Sequence, residues 1–299
     1  MKILVSGASG LVGSALVPAL IAGGHSVVRL VRSAPKNGAD EVMWDPAAGT
    51  LDASSVEGVN AAVHLSGENI GEGRWTPRKK TIIRDSRVKS TRLLAETLAR
   101  LGRPPGVLVC ASAVGYYGDR GEEVLREESP AGTGFLADTC REWESAAEPA
   151  VQKGIRVVHL RSGIVLSPKG GALAKMLPPF KMGLGGKLGS GRQYMSWISL
   201  DDMIGVIIHG IETEALSGPV NVVAPQSVTN LEFTKTLGQV LSRPTPFALP
   251  AFMVRLAFGE MADAALLAST RVVPARLQNS GYAFLHTELK GALRHVLGK

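Results

Sequence analysis

Short runs of branched apolar residues alternate with amphipathic stretches through the first half of the chain. That alternation is the pattern of a parallel sheet whose strands are joined by helices. Residues 2–6 read as a buried strand and 11–22 as a helix, closed by Gly23 and Gly24. Further strands are expected at 26–31, 41–44 and 59–65. Thr76 can cap a long helix and Pro77 suits its first turn; the helix is expected to run to about Leu101, ahead of Gly102 and Pro104. A strand at 107–111, a helix at 135–153 ended by Gly154, and a strand at 155–160 complete the alternation.

The texture changes after Val165. Residues 170–191 are rich in glycine and lysine, carry two prolines and show no clear period, so a mobile loop over a site is expected there. Trp197 and Ile198 read as a strand and 201–211 as a helix. From about Val228 a smaller, mainly helical unit follows. The expected division is a binding domain over 1–224, with a substrate-side loop at 166–194 inserted in it, and a C-terminal substrate-side unit over 225–299. No sharp boundary is expected, because returning strands interleave the two.

The first turn of the chain carries chemistry. Gly7, Gly10 and Gly13 follow a strand and open a helix, with Ser9, Leu11 and Val12 between them. In that context the three glycines serve a tight turn, a close approach to a pyrophosphate, and close helix–strand packing. The helix N-terminus then offers free N–H groups to the phosphates. The expected fold class is therefore α/β, a Rossmann-type doubly wound parallel sheet. An acidic residue at the end of the second strand would accept from a ribose 2′-OH; instead the run is Val31-Arg32-Ser33. Arg32 can pair with a 2′-phosphate through its planar fork and Ser33 can add a hydrogen bond, so NADP(H) is expected over NAD(H). Asp45 has two readings, a contact with the adenine amino group or a turn role before Pro46.

Composition narrows the partners. The net charge is +7, without a lysine run or aromatics spaced between basic residues on a sheet, so a small anionic ligand is favoured over nucleic acid. No apolar stretch reaches the roughly 18 residues of a membrane span, and no signal peptide is read at the N-terminus. Two cysteines in 299 residues make no disulfide framework, so a cytoplasmic setting is expected. No histidine sits in ligand spacing, and no metal is expected. A homodimer is left open.

With these residues placed, the chain resembles the extended short-chain dehydrogenase/reductase superfamily, and most closely its atypical branch of epimerase/dehydratase-like proteins of uncertain substrate. The likeness covers nearly the whole chain. It rests on Ser66-Gly67-Glu68-Asn69-Ile70 with Arg74-Trp75-Thr76, Ser86-Arg87-Val88 with Thr91, and the run from Ser112 to Gly118. It extends through the glycine-rich run from Gly185 to Gly191, Trp197-Ile198 before Asp201-Asp202, and Val273-Pro274 before Gly281-Tyr282. The resemblance implies that Leu65, Ser66, Gly67 and Ala111 join the cofactor-binding set. It also implies a catalytic serine, a tyrosine with a lysine four residues later, and an upstream asparagine. Ser112 matches the serine. Leu136 and Cys140 stand where the tyrosine and lysine belong, and Arg87 where the asparagine belongs.

The remaining candidates follow from these departures. Arg87 shares a helical face with Ile83, Thr91, Leu94 and Leu98, so it needs a partner, either a structural carboxylate or an anionic ligand. Cys140 reads as a small core residue or as a thiol lining the nicotinamide pocket. Tyr116 or Tyr117 can point into the cleft and supply the missing acid, its pKa lowered by Arg87, or both rings wall the pocket. Gln193 and Trp197 resemble the region that carries substrate contacts, but Met195-Ser196 replaces the usual arginine–aspartate pair there, so no sugar-nucleotide contact is carried over. Two functions stay open. One is an NADPH-dependent oxidoreductase or epimerase-like enzyme, lacking the usual tyrosine–lysine pair, acting on a small polar or anionic molecule. The other is an NADP(H)-binding sensor or regulatory protein with little turnover.

Overall fold

The computed structural model describes residues 1–34 and 40–299. The chain alternates as expected through β1 (Lys2–Ser6), α1 (Gly13–Ala22), β2 (Ser26–Val31), β3 (Glu41–Asp45), β4 (Thr50–Leu51), β5 (Ala61–His64), α2 (Pro77–Arg100) and β6 (Val107–Ala113). It continues through β7 (Val124–Leu125), α3 (Phe135–Ser145), α4 (Glu148–Gln152), β8 (Arg156–Ser162), β9 (Ile164–Leu166), α5 (Gly171–Lys181), β10 (Gly186–Leu188), β11 (Tyr194–Met195) and β12 (Trp197–Ser199). The last third holds α6 (Leu200–Glu212), β13 (Gly218–Val222), β14 (Val228–Thr229), α7 (Asn230–Leu241), β15 (Phe247–Leu249), α8 (Ala251–Phe258), β16 (Arg271–Val272), α9 (Ala275–Asn279) and α10 (Leu289–Leu297).

One large sheet has the order β13-β8-β6-β5-β1-β2-β3-β4. Every neighbouring pair is parallel except β3 with β4. The strand order reverses between β1 and β5, which is where a doubly wound sheet opens a ligand crevice at its carboxyl edge. In β1, Ile3 and Val5 face one layer with Leu16 of α1 and Ile207 of α6, while Leu4 faces the other with Leu94 and Leu98 of α2. Both faces are covered, so β1 is apolar without interruption.

Three expectations change. The helix expected over 135–153 is two helices: Pro149 lacks an N–H and its ring excludes the carbonyl four residues back, so the chain restarts at Glu148. The fifth expected strand continues to Ala113, which puts Ser112 inside β6 rather than beyond it. The stretch 170–191 is not structureless, for it holds α5 and β10. Leu173, Leu177 and Phe180 recur at helical spacing on one face of α5 and are buried.

That face packs with Phe233 and Leu237 of α7, Leu293 of α10, and Trp197 into a second core. The inserted stretch and the C-terminal unit therefore build one lobe together. Thr229 and Glu232 form a capping box at the start of α7. Asp202, wholly buried, accepts from the Ser199 hydroxyl at 2.7 Å and from the backbone N–H of Leu285 and His286 at 2.7 and 3.1 Å, fastening the C-terminal segment to α6. No helix among the described residues is long and apolar enough to cross a membrane.

Candidate cofactor and catalytic site

Gly7 leaves β1 with φ +72°, and a Cβ there would lie 2.8 Å from the Leu65 carbonyl carbon. A Cβ on Gly13 would lie 2.2 Å from the Gly7 oxygen. Both glycines are thus demanded by the chain itself. The turn closes with the Gly10 N–H donating to the Gly7 carbonyl at 3.0 Å. Gly10 is different: a Cβ there would meet only the Gly7 oxygen, at 3.3 Å, and open space otherwise. Helix α1 has no side-chain cap and no acid in its first turn, so its positive end is left without a negative side chain, although the N–H groups of Ser14 and Ala15 already donate to the carbonyls of Gly10 and Val12 at 2.9 and 3.1 Å. Ser9 and Gly10 are exposed, Leu11 and Val12 half-buried.

The carboxyl ends of the neighbouring strands frame this turn. Arg32 and Ser33 follow β2 and are exposed, as a 2′-phosphate site requires; residues 35–39, next along, lie outside the described residues. Asp45 uses one carboxylate oxygen to accept from the N–H groups of Ala47 and Ala48 at 2.9 and 3.1 Å, the turn role of its two readings. Leu65, Ser66 and Gly67 leave β5 half-buried to exposed, and Ala111 is half-buried in β6. Beneath them His64 bridges Ser6 at 2.6 Å and Ser90 at 3.0 Å. Burial drives its pKa down to about 3, so it stays neutral and ties β1, β5 and α2 together.

Ser112 is 2% exposed and donates to Glu144 of α3 at 2.7 Å. Glu144 also receives a two-pronged contact from Arg161 of β8, at 2.9 and 2.8 Å, with the arginine side chain 4% and the glutamate 13% exposed. Arg161 reaches on to the Tyr117 hydroxyl at 3.0 Å and the Glu127 carbonyl at 3.2 Å, and its guanidinium lies 3.4 Å from the centre of the Tyr116 ring. Burial opposes the charge on Arg161, but Glu144 outweighs it and raises the arginine's pKa. The result is a closed polar network under the carboxyl edge of the sheet.

The tyrosines therefore differ from expectation. Tyr117 is wholly buried and donates to Asn221 at 2.7 Å, so it does not line the cleft. Burial pushes its pKa up to about 12 despite Arg161. Tyr116 is half-buried. The cation facing both rings is Arg161, not Arg87. Arg87 instead donates to the carbonyls of Ile83 and Glu68 at 3.0 and 2.9 Å and lies 5.1 Å from the centre of the Trp143 ring. Its hydrogen-bond partners are thus carbonyl oxygens rather than a carboxylate, and desolvation lowers its pKa. A Cβ on Gly67 would come within 3.3 Å of this guanidinium, so Arg87 stands directly behind the cofactor-side loop.

Cys140 is 4% exposed, with its thiol 3.8 Å from the Ala113 carbonyl. Burial, reinforced by Glu144, pushes the thiol up to about 12. It is the core residue of the two readings and stays protonated at neutral pH. Gln193 donates inward to the Leu188 and Leu266 carbonyls at 3.1 and 3.3 Å, and Trp197 is 1% exposed in the second core. Neither side chain faces a cleft. A cavity of about 510 Å³ lies instead between the turn after β6, the start of α3 and residues 260–268. Leu136 and Gly115 line it together with Asp119, Glu260 and Asp263.

Sequence reasoning missed Glu144 and Arg161. An arginine inside an otherwise apolar strand was the available signal, since such a charge needs a buried partner. It also missed a cluster remote from the cavity's lining: the side chains of Asp201, His286 and His295 converge, although nothing in their spacing announces it.

The comparisons agree with this geometry. The profile of the NAD dependent epimerase/dehydratase family matches residues 3–223, and that of a domain of unknown function (DUF1731) matches 249–296. The chain is 48% identical over 294 residues to the epimerase family protein Mb2239 of Mycobacterium bovis, covering 98% of this chain and 97% of that one. It is 37% identical over 300 residues to the human epimerase family protein SDR39U1, covering 99% and 100%. The crystal structure of human SDR39U1 (isoform 2) with NADPH superposes with a TM-score of 0.91 at 35% identity, over the whole of both chains. UDP-N-acetylglucosamine 4-epimerase from Bacillus cereus shares the fold alone, with a TM-score of 0.77 at 16% identity over 99% of this chain and 98% of that one. The turn, the sheet order and the full-length likeness together place the chain in the NAD-dependent epimerase/dehydratase family.

Proposed function

We propose that the protein binds NADPH along the carboxyl edge of the sheet and acts as an NADP(H)-dependent oxidoreductase or epimerase-like enzyme on a small polar molecule. The observation that carries this is Gly10, whose missing side chain leaves open space beside the uncapped start of α1. The pyrophosphate would lie against Gly10 at the positive end of α1, and the 2′-phosphate against Arg32 and Ser33. NADPH is the cofactor in the human relative's crystal structure, which supports the same choice here. When bound, the cofactor supplies or accepts a hydride. This chain's own residues supply the surroundings: Glu144 holds Ser112 in β6, and Leu136 gives the cavity an apolar wall. The cavity is large enough for a small metabolite, and its lining carries Arg120 as well as Asp119, Glu260 and Asp263, which suits a polar substrate.

Calorimetric titration with NADPH and NADH tests the cofactor. NADPH is expected to bind more tightly, and Arg32→Ala to weaken it by about 1.5–3 kcal/mol while sparing NADH. Equal affinity for the two cofactors overturns the assignment. A specific observation favours a second reading, a cofactor-binding sensor or regulator with little turnover. The Ser112 hydroxyl is already committed to Glu144, and both Tyr117 and Cys140 are pushed up to about 12, so these groups hold their protons firmly. Steady NADPH oxidation with any carbonyl compound in a screen of aldehydes, ketones and quinones decides for the enzyme.

A further inference from the structure

We infer that Asp201, His286 and His295 form a binding site for a divalent transition-metal ion of the zinc type, which fastens the C-terminal helix to α6. The three come from separate segments: the first turn of α6, the strap before α10, and the last turn of α10. One ligand atom from each lies within 4.8 Å of the other two. The His295 Nε2 is 2.6 Å from an Asp201 carboxylate oxygen, and the His286 and His295 rings stand 4.6 Å apart between centres, tilted by 35°.

Two imidazoles and one carboxylate are a donor set for zinc, copper or nickel, and a poor one for magnesium or calcium, which take oxygen ligands. Around a tetrahedral zinc, ligand atoms at about 2.0–2.1 Å from the metal sit roughly 3.3 Å from one another. The Asp201–His295 pair must open by less than an ångström and His286 must swing in slightly. Asp201 and His295 are about half exposed, so both can turn without disturbing a core. The backbone behind them is rigid: buried Asp202, next to Asp201, holds the His286 N–H at 3.1 Å, and Leu289, Ala292 and Leu293 of α10 are buried in the second core. Solvent completes the coordination on the open side. In the absence of metal, the Asp201–His295 contact is a single half-exposed surface interaction of little worth. The metal converts it into a cross-link between the sheet-bearing layer and the C-terminal lobe.

The test uses the untagged full-length protein, stripped with chelator and titrated with Zn²⁺ and Co²⁺. One ion per chain is expected, with visible cobalt bands of a nitrogen–oxygen site and no thiolate charge-transfer band. Zinc at about a hundredfold excess over its dissociation constant should raise Tm by roughly 4 °C, and magnesium should leave it unchanged. The variants Asp201→Asn, His286→Gln and His295→Gln, checked by circular dichroism, should each weaken zinc by about tenfold or more. No bound ion, a thiolate band, or undiminished binding by the folded histidine variants overturns the site. So does a zinc response matched by magnesium.

Discussion

Glu144 is the residue whose loss should be felt furthest. Its carboxylate takes two hydrogen bonds from Arg161 and one from Ser112, in surroundings where the arginine side chain is 4% exposed. Glu144→Gln keeps the shape and one acceptor oxygen but removes the charge. Arg161 would then be a buried cation without a paired carboxylate, left with neutral partners: the amide oxygen, the Tyr117 hydroxyl and the Glu127 carbonyl. Breaking a buried ion pair from one side costs about 3–5 kcal/mol, because the surviving charge is left uncompensated. With an unfolding entropy near 2.1 cal/mol/K per residue, a chain of this length loses about 5–8 °C in Tm for that cost. Urea unfolding followed by circular dichroism measures the free energy, and scanning calorimetry the Tm. The double variant with Arg161→Met should recover about 2 kcal/mol or more relative to the sum of the single losses, since it removes the stranded charge. A loss under about 1 kcal/mol for Glu144→Gln, the value of an exposed pair, refutes the reasoning; so does simple additivity.

The glycine turn separates folding from binding. Gly13→Ala puts a Cβ 2.2 Å from the Gly7 oxygen and should cost about 1–3 kcal/mol by urea unfolding. Gly10→Val should melt like the parent yet lose NADPH in calorimetry, and a folded variant that still binds it refutes the phosphate role of that turn. His64 sets a pH dependence. The folded chain keeps it neutral down to about pH 3, whereas the unfolded chain protonates it below 6.5. The unfolded state then holds more protons, so stability is full above 6.5 and falls as pH drops from there toward about 3, by about 1.4 kcal/mol per pH unit. Urea unfolding from pH 6.5 to 4 should show that slope flattened by about this amount in His64→Gln; an unchanged slope refutes it.

What the sequence made legible was local. The phosphate turn spans seven residues, the cap at Thr76 accepts from Lys79 three residues on at 3.2 Å, and the core of β1, Ile3 to Val5, is a continuous apolar run. Each is decided by neighbours along the chain. The candidate site was legible only where it shares that locality, at Gly7, Gly10, Gly13 and Ser112. Glu144 and Arg161 meet across 17 residues and two elements, and no periodicity encodes the meeting. Tyr116 and Tyr117 are adjacent, yet Tyr117 is wholly buried against Asn221 and the Tyr116 ring centre lies 3.4 Å from the Arg161 guanidinium; ring direction is set by partners 45 and 104 residues away. Glycine, lysine and two prolines obscure the period of α5, although Leu173, Leu177 and Phe180 mark a buried face.

The departures from the superfamily's catalytic set are electrostatically one arrangement rather than separate losses. The site already holds two arginines, half-buried Arg87 behind the cofactor-side loop and buried Arg161 on the strand that carries it beside Ser112, and both act on Cys140. Glu144 is the one carboxylate that neutralises either of them among the described ion pairs. A lysine at 140 would add a third cation to a position that is 4% exposed, with no second carboxylate to meet it. A neutral thiol avoids that cost. A tyrosine at 136 would in turn lack the cation that lowers a phenol's pKa in the usual enzymes, so Leu136 and Cys140 are consistent with each other. The charge that the superfamily places on a lysine beside the substrate is here moved under the sheet, where Arg161 and Glu144 orient Ser112 instead of tuning a proton donor.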